Sequence, residues 1–392
     1  MSRPRLHLRP RTATALDLAE LLGDEATRVV VCCGAGGVGK TTASAALAIR
    51  AADAGRQVVV LTIDPARRLA QSLGIEELGN TPNEVKGIDP DNGGRLFAMM
   101  LDMKSTFDEI VLGHTTPERA EQIFENPFYQ TLSTSFAGTQ EYMAMEKLGQ
   151  LVATEKWDLI IVDTPPSRSA LDFLDAPERM ARFLDGKVLK ILLGPAKSGG
   201  RMSLKIASAG MNMFTRILTK IIGGQVLQDL SAFVAALDTM FGGFRARATA
   251  TYELLRRPGT SFVVIATPEP DALREASYFV DRLVGEAMPL AGVVMNRVHY
   301  SEVPDVPAKK SRDLADELWP EDQDVPQENE LAAAALRIHA DRVELALREQ
   351  KLTERFVAAH PEVAIGEIAA LAEDAHDLDD LREVAERLAD KS

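Results

Sequence analysis

Apolar residues in this chain fall into short unbroken runs separated by helix-length amphipathic stretches. The first run, Val29-Val30-Val31-Cys32-Cys33, ends on Gly34, and residues 40–54 beyond it are alanine-rich with helical spacing. Residues 57–63 (Gln-Val-Val-Val-Leu-Thr-Ile) form a second run, and 95–101, 157–163, 262–267 and 291–296 repeat the pattern. Continuous β-branched runs of this length are what strands covered on both faces of a parallel sheet require. Helices are expected over 103–153, with breaks near Thr115-Thr116-Pro117 and Asn126-Pro127, and over 270–287 and 331–352. Clusters of Pro, Gly, Asn and acids mark 75–94 and 301–330 as loops, the second of them exposed. A short strand near 362–366 and a helix over 379–390 read as a final βα unit. Alternation of this kind specifies an α/β fold, a doubly wound and mostly parallel sheet flanked by helices.

One region breaks the alternation. Residues 186–256 carry glycine breaks at Gly194-Pro195, Gly199-Gly200, Gly223-Gly224 and Gly242-Gly243 between apolar helical pieces. Met202, Leu204, Ile206, Met211, Met213, Phe214, Ile217, Leu218, Ile221 and Ile222 make the segment oily and methionine-rich. Methionine-rich helical surfaces suit promiscuous apolar partners. The competing reading, helices packed on the core or on a second subunit, stands beside it. The expected organisation is a tail and lead-in over 1–27 and one domain over 28–392, within which 103–153 and 186–256 form a helical subdomain.

The 392 residues suggest roughly two to three domain-sized units or one large α/β domain with insertions. A net charge of −14 argues against a nucleic-acid surface, which needs clustered Lys and Arg. Arg3, Arg5, Arg9 and Arg11 make a short basic start, but no apolar run of signal-peptide length follows. It reads as a solvated tail. No stretch is long and apolar enough to span a bilayer. The two cysteines, Cys32 and Cys33, are adjacent in the first strand and so point to opposite faces. That placement suits buried small hydrophobes better than a shared metal, and it fits a reducing, cytoplasmic setting.

The junction after the first strand carries the chemistry. Gly34, Gly39, Lys40 and Thr41 fit the G-x-x-x-x-G-K-[ST] spacing of a phosphate-binding loop. Glycines let backbone N–H groups curl around phosphate oxygens, and the next helix aims its positive end at them. Gly34, Ala35, Gly36, Gly37, Val38, Gly39, Lys40, Thr41 and Thr42 are therefore the candidate nucleotide-binding residues. Lys40 reaches the β- and γ-phosphates, and the Thr41 hydroxyl holds Mg²⁺. Asp64 ends the second strand, where open α/β sheets bind ligands. It is a candidate for orienting an attacking water; a helix N-cap is the alternative, and both roles are compatible. The apolar run at 159–162 ends in Asp163, the pattern that supports Mg²⁺, directly or through water, in P-loop NTPases. Thr164 to Arg168 then form a candidate switch loop. Together these make the fold a P-loop NTPase.

The P-loop, Asp64-Pro65-Ala66, Asp163-Thr164-Pro165-Pro166 and Asn296 resemble, in type and order, the ArsA-type ATPases. That family holds arsenite-pump ATPases and ATPases that target tail-anchored membrane proteins. The resemblance covers residues 28 to 390. It implies ATP and Mg²⁺ as ligands, Lys40 and Asp64 as catalytic residues, Thr41 and Asp163 at the metal, and Asn296 at the adenine edge. It also implies that the 186–256 insert is the helical subdomain, which in targeting members forms a hydrophobic client groove. The implied activity is Mg-dependent ATP hydrolysis driving a dimeric switch.

Three departures bear on that. Family members usually carry a signature lysine one residue after the first P-loop glycine, reaching the partner subunit's nucleotide; here the place is Ala35. Targeting members often carry a CxxC zinc clasp, absent here. Pump members bind metalloid through cysteines, whereas Cys32 and Cys33 lie in a core strand. A homodimer would lack the lysine charge at both sites, so the favoured partner is a lysine-bearing paralogue in a heterodimer. The alternative function is a weakly active, nucleotide-binding regulatory subunit. A metabolic kinase or ligase on the same fold is a third reading, and the resemblance outside the P-loop argues against it.

Overall fold

The computed structural model of the protein describes residues 13–64, 68–127, 129–130, 133, 139–165, 246–247, 249–301, 303, 305–320, 325–371, 373, 375 and 377–389. The chain divides into two compact units, Met1–Met100 with Glu155–Ala170 and Leu255–Ser392, and Leu101–Thr154 with Leu171–Leu254. Nearly all of the 186–256 segment, including its methionine-rich pieces, lies outside the described residues.

The first unit is built on an eight-stranded sheet. Its strands are β1 (Val29–Gly34), β2 (Gln57–Thr62), β3 (Asn83–Glu84), β4 (Arg95–Met100), β5 (Leu159–Asp163), β6 (Thr260–Ala266), β7 (Leu290–Val298) and β8 (Ile365–Ala369). The order is β3-β4-β2-β5-β1-β6-β7-β8, parallel throughout except for β3, which runs antiparallel along β4. All of β1 and β5 is buried, which is why their sequences show no alternation. The strand order turns back on either side of β1, so the carboxyl ends of β5, β1 and β6 face the crevice where this topology places ligands.

Helix α1 (Leu18–Gly23) precedes the sheet, and α2 (Lys40–Asp53) follows β1. Ala43, Ala45, Ala46, Leu47, Ala48 and Ile49 of α2 are buried, the small side chains letting it lie close over the sheet. The short α3 (Arg68–Ser72) follows β2. After the sheet-forming run come the helices of the second unit, α4 (Met103–His114), α5 (Pro117–Phe124) and α6 (Thr139–Ala153). Their breaks fall where the two proline signals place them. Tyr142, Met143, Ala144, Met145 and Leu148 form the buried face of α6.

Sequence and structure differ in the elements with polar faces. Residues 301–330 are not all loop: they contain a helix, α8 (Ala308–Leu318), after α7 (Pro270–Gly285). Its buried positions are Ala308, Ser311 and Ala315, residues too small to register as an apolar stripe. The long helix α9 runs Gln327–Ala359, well past both ends expected for it. The chain closes with α10 (Leu378–Ala389). The lead-in also contributes structure. Leu16 N–H donates to the Ile365 carbonyl at 3.1 Å, Ile365 N–H donates to the Thr14 carbonyl at 2.9 Å, and Leu18 and Leu22 are buried. Among the described residues, no helix is long and apolar enough to cross a membrane.

Candidate functional site

Five strand ends converge on one place. The carboxyl end of β1 passes into the glycine loop, and Gly34 has φ +151°. A Cβ there would stand 2.1 Å from the Ile265 carbonyl oxygen of β6, so any larger residue drives the two strands apart. The loop ends at Gly39, the N-cap of α2, in the left-handed region at φ +88°. The first intrahelical bond runs from Ala43 N–H to the Gly39 carbonyl at 2.9 Å. The N–H groups of Lys40, Thr41 and Thr42 therefore lie outside the helical ladder and at its positive end, an anion cradle.

Lys40 is 6% exposed, and its Nζ donates to the Ala35 carbonyl at 2.7 Å, spanning the loop from inside. Burial pulls its pKa below the usual lysine value, opposed by Asp163, Cys33, Asp64 and Glu275. Ala35 itself is buried and brings only a methyl group to the position after Gly34. Cys32 and Cys33 are free thiols buried in β1. Burial pushes both pKa values up, that of Cys32 to about 12, so neither is a thiolate available to a metalloid.

Asp163 closes β5 beside the loop and is fully buried. Thr41 Oγ1 donates to its Oδ2 at 2.9 Å, and Thr62 Oγ1 donates to the same oxygen at 3.0 Å. Its Oδ1 is buried with no hydrogen-bond partner. One carboxylate oxygen is thus spent on orienting two threonines, and the other is held in reserve. An oxygen orphaned in this way, beside a hydroxyl at a phosphate cradle, fits a hard divalent cation or the water such a cation carries. Thr62 went unrecognised in the sequence. Its signal was a lone hydroxyl near the end of an otherwise apolar strand. Thr164 secures the next step of the chain, its Oγ1 donating to the Cys32 carbonyl at 2.8 Å.

Asp64 follows β2 and is half-buried, its N–H donating to Thr62 Oγ1 at 3.3 Å. The N-cap alternative for Asp64, and the switch residues beyond Pro165, fall on residues outside the described ones. Asn296 stands on β7 with its Nδ2 donating to the Val38 carbonyl at 2.8 Å and its Oδ1 accepting the Arg297 N–H at 2.9 Å. It props the P-loop directly. A Cβ on Gly39 would come within 2.3 Å of that amide nitrogen.

An open cavity of about 830 Å³ is lined by Gly37, Gly39, Lys40, Thr41, Thr42, Asp64, Asn296, Arg297 and His299, and also by Ile368, Ala369, Ala370 and Leu371. Phosphate donors and aliphatic surface both line it, and the volume suits a nucleotide. The structure brings together all the sequence-derived candidates that it describes at this site: Lys40, Thr41, Asp64, Asp163 and Asn296.

A family model described as anion-transporting ATPase matches residues 27–316, from the lead into β1 to within α8. The chain belongs to the anion-transporting ATPase family, of the ArsA type. Relatives called ATPase GET3 in Podospora anserina and ATPase GET3B in Arabidopsis thaliana are each 26% identical, over 72% and 73% of this chain and 76% and 68% of their own. One called ATPase ASNA1 homolog 1 in Paramecium tetraurelia is 25% identical over 73% of this chain and 79% of its own. Like these, this ArsA-type protein is an ATPase, and the matched stretch holds every site residue named above except those of β8 and its exit.

The carboxylate of this ArsA-type site carries a pH signature. Burial raises the Asp163 pKa from 3.8 to about 6, partly offset by the two threonine hydroxyls and Lys40 and reinforced by Asp64. A carboxylate raised on folding penalises the folded state once it ionises. The penalty is absent below the unfolded pKa, grows as pH rises from about 4 to about 6, and is complete above. By linkage it is on the order of 3 kcal/mol. Asp163→Asn is therefore expected to melt higher than wild type at pH 7.5 without added nucleotide or metal, the difference shrinking toward pH 4. Thermal melts across pH 4–8 check this, and equal pH dependence in both proteins would contradict it.

Proposed function

We propose that the protein is a Mg-ATP-driven dimeric switch whose nucleotide state controls a hydrophobic client or membrane-protein partner. The observation that carries the reading is the fully buried Asp163, aligned by Thr41 and Thr62 with one oxygen unpartnered at the end of the phosphate cradle. Thr41 Oγ1 and Asp163, directly or through water, would hold Mg²⁺, which supplies charge neutralisation on the phosphate oxygens. The N–H groups of the loop and of the first turn of α2 bind phosphate. Lys40 exchanges the Ala35 carbonyl for phosphate oxygens. Asp64 orients a water whose oxygen bonds the γ-phosphorus as the bond to ADP breaks. Asn296 and the Ile368–Leu371 wall flank the base, with Asn296 at the adenine edge.

The client would be handled by a helical subdomain made of 103–153 and the methionine-rich 186–256 segment, in a cytoplasmic protein without a nucleic-acid partner. The favoured assembly is a heterodimer with a paralogue bearing the lysine that Ala35 lacks; a homodimer is the alternative. The charge such a lysine places on the transition state is typically worth about 10²–10³ in rate. A second reading, a weakly active regulatory subunit, is favoured by the same Ala35.

Single-turnover hydrolysis tests the reading. The purified chain alone should hydrolyse Mg-ATP slowly, a lysine-bearing paralogue should accelerate it, and Ala35→Lys should raise the rate of the chain alone by about tenfold or more. Fast turnover by the chain alone, unaffected by Ala35→Lys, would refute the heterodimer. A chain that binds Mg-ATP but stays inert with the paralogue supports the regulatory reading.

A further inference from the structure

Three non-glycine residues among those described have φ in the left-handed region: Glu155, Ala287 and Arg297. Glu155 and Ala287 each lie two residues beyond the end of a helix, where left-handed backbone is the ordinary termination. Arg297 is different. It lies inside β7, at φ +59°, and no helix ends there. Non-glycine residues in this conformation are strained and persist where the surroundings impose them, commonly at functional sites.

The cause is a bulge. Met295 pairs with Glu367 and Val298 with Ala369, so Asn296 and Arg297 together oppose the single residue Ile368. Consecutive strand residues normally point to opposite faces. Here both side chains reach the same loop, Asn296 to the Val38 carbonyl and Arg297 Nη1 to the Gly37 carbonyl at 3.3 Å. The Asn296 side chain fastens the distortion by accepting the Arg297 N–H. Bulges beside active sites re-aim side chains in this way. The result is an exposed guanidinium at the rim of the phosphate cradle, lining the cavity.

We propose that Arg297 is a polyphosphate-binding residue, delivered by the β7 bulge, whose guanidinium moves from the Gly37 carbonyl to phosphate oxygens of the bound nucleotide. The proposal rests on the nucleotide site assigned above. A phosphate oxygen is the stronger acceptor, because it carries negative charge that a carbonyl lacks and can take the planar guanidinium through two parallel bonds. The cation is needed where the loop is poorest in charge. Position 35 carries alanine, and Lys40 is the buried cation of the cradle. Leaving the rim carbonyl lets the Gly37 turn adjust to the phosphate it wraps, so grip and loop closure are one event.

The test uses the full chain and three substitutions. Arg297→Gly removes the guanidinium while suiting the left-handed backbone, so it should melt at or above wild type without ligand. Arg297→Lys keeps a charge, and Arg297→Ala removes it while keeping the strain. Affinities for ATP, ADP and AMP are measured by calorimetry at low and high salt. Arg297→Gly and Arg297→Ala should weaken ATP and ADP by about tenfold or more and flatten their salt dependence, with AMP affected less than about twofold. Arg297→Lys should stay within about threefold of wild type. Unchanged ATP affinity in Arg297→Gly overturns the proposal and leaves Arg297 a tie for the loop. Equal losses for AMP and ATP also overturn it, placing the residue against base or sugar. Failure of the underlying site is separately visible, as wild type that binds no ATP or a Lys40→Ala variant that binds it normally.

Discussion

Lys40→Ala is expected to weaken Mg-ATP binding by about 10- to 100-fold and to lower turnover by a further ~10²–10³. Lys40 is 6% exposed and its ammonium group already spans the loop to the Ala35 carbonyl, so it is preorganised and largely stripped of water. A cation held in that state interacts with phosphate more strongly than a hydrated surface lysine does. Burial lowers its pKa, and the acidic groups around it, Asp163 foremost, oppose that. The substitution has a second effect of the same sign. Lys40 is among the groups that hold the Asp163 pKa down, so its loss raises a carboxyl already near 6 and weakens the metal donor. Calorimetric titration with Mg-ATP, after a melt that confirms folding, checks the expectation. Wild-type affinity in the variant would remove Lys40 from its role.

Asp64→Asn should separate binding from chemistry. Turnover is expected to fall by about 10²–10⁴, while Mg-ATP affinity stays within about threefold. The residue lines the cavity at the end of β2, and its backbone N–H donates to Thr62 Oγ1. Asparagine preserves that bond and the side-chain shape but cannot take or direct the proton of a water as a carboxylate does. It also removes one of the charges that raise the Asp163 pKa, so metal binding should not suffer. Single-turnover rates alongside equilibrium binding distinguish the outcomes. Parallel loss of affinity and rate would mean damage at the strand tip instead of loss of a water-orienting group.

How much of this was legible beforehand depended on the reach of the interaction involved. The glycine loop could be read because its demands are local: Gly34 and Gly39 must adopt left-handed backbone, Lys40 and Thr41 sit one residue apart on a helix start, and a buried strand precedes them. Asp163 could be read because an acid ending an apolar run is anomalous in itself. The polar helix α8 could not, because its buried face is Ala308, Ser311 and Ala315, and small residues do not stand out in a hydrophobic pattern. Thr62 gained its meaning only when parallel pairing placed it opposite Asp163.

The sequence by itself therefore determined the sheet-and-helix alternation, the phosphate cradle and its two acids, and the oddity of Ala35, since each is written within a single element or turn. Tertiary structure alone decided which oxygen of Asp163 is spent and which is reserved, and that Asn296 braces Val38. It alone showed that Arg297 reaches the cradle at all. That last fact depends on one extra residue of β7 measured against β8, which lies far along the chain. A register difference between two strands has no local signature in either of them, because it exists only once they are paired.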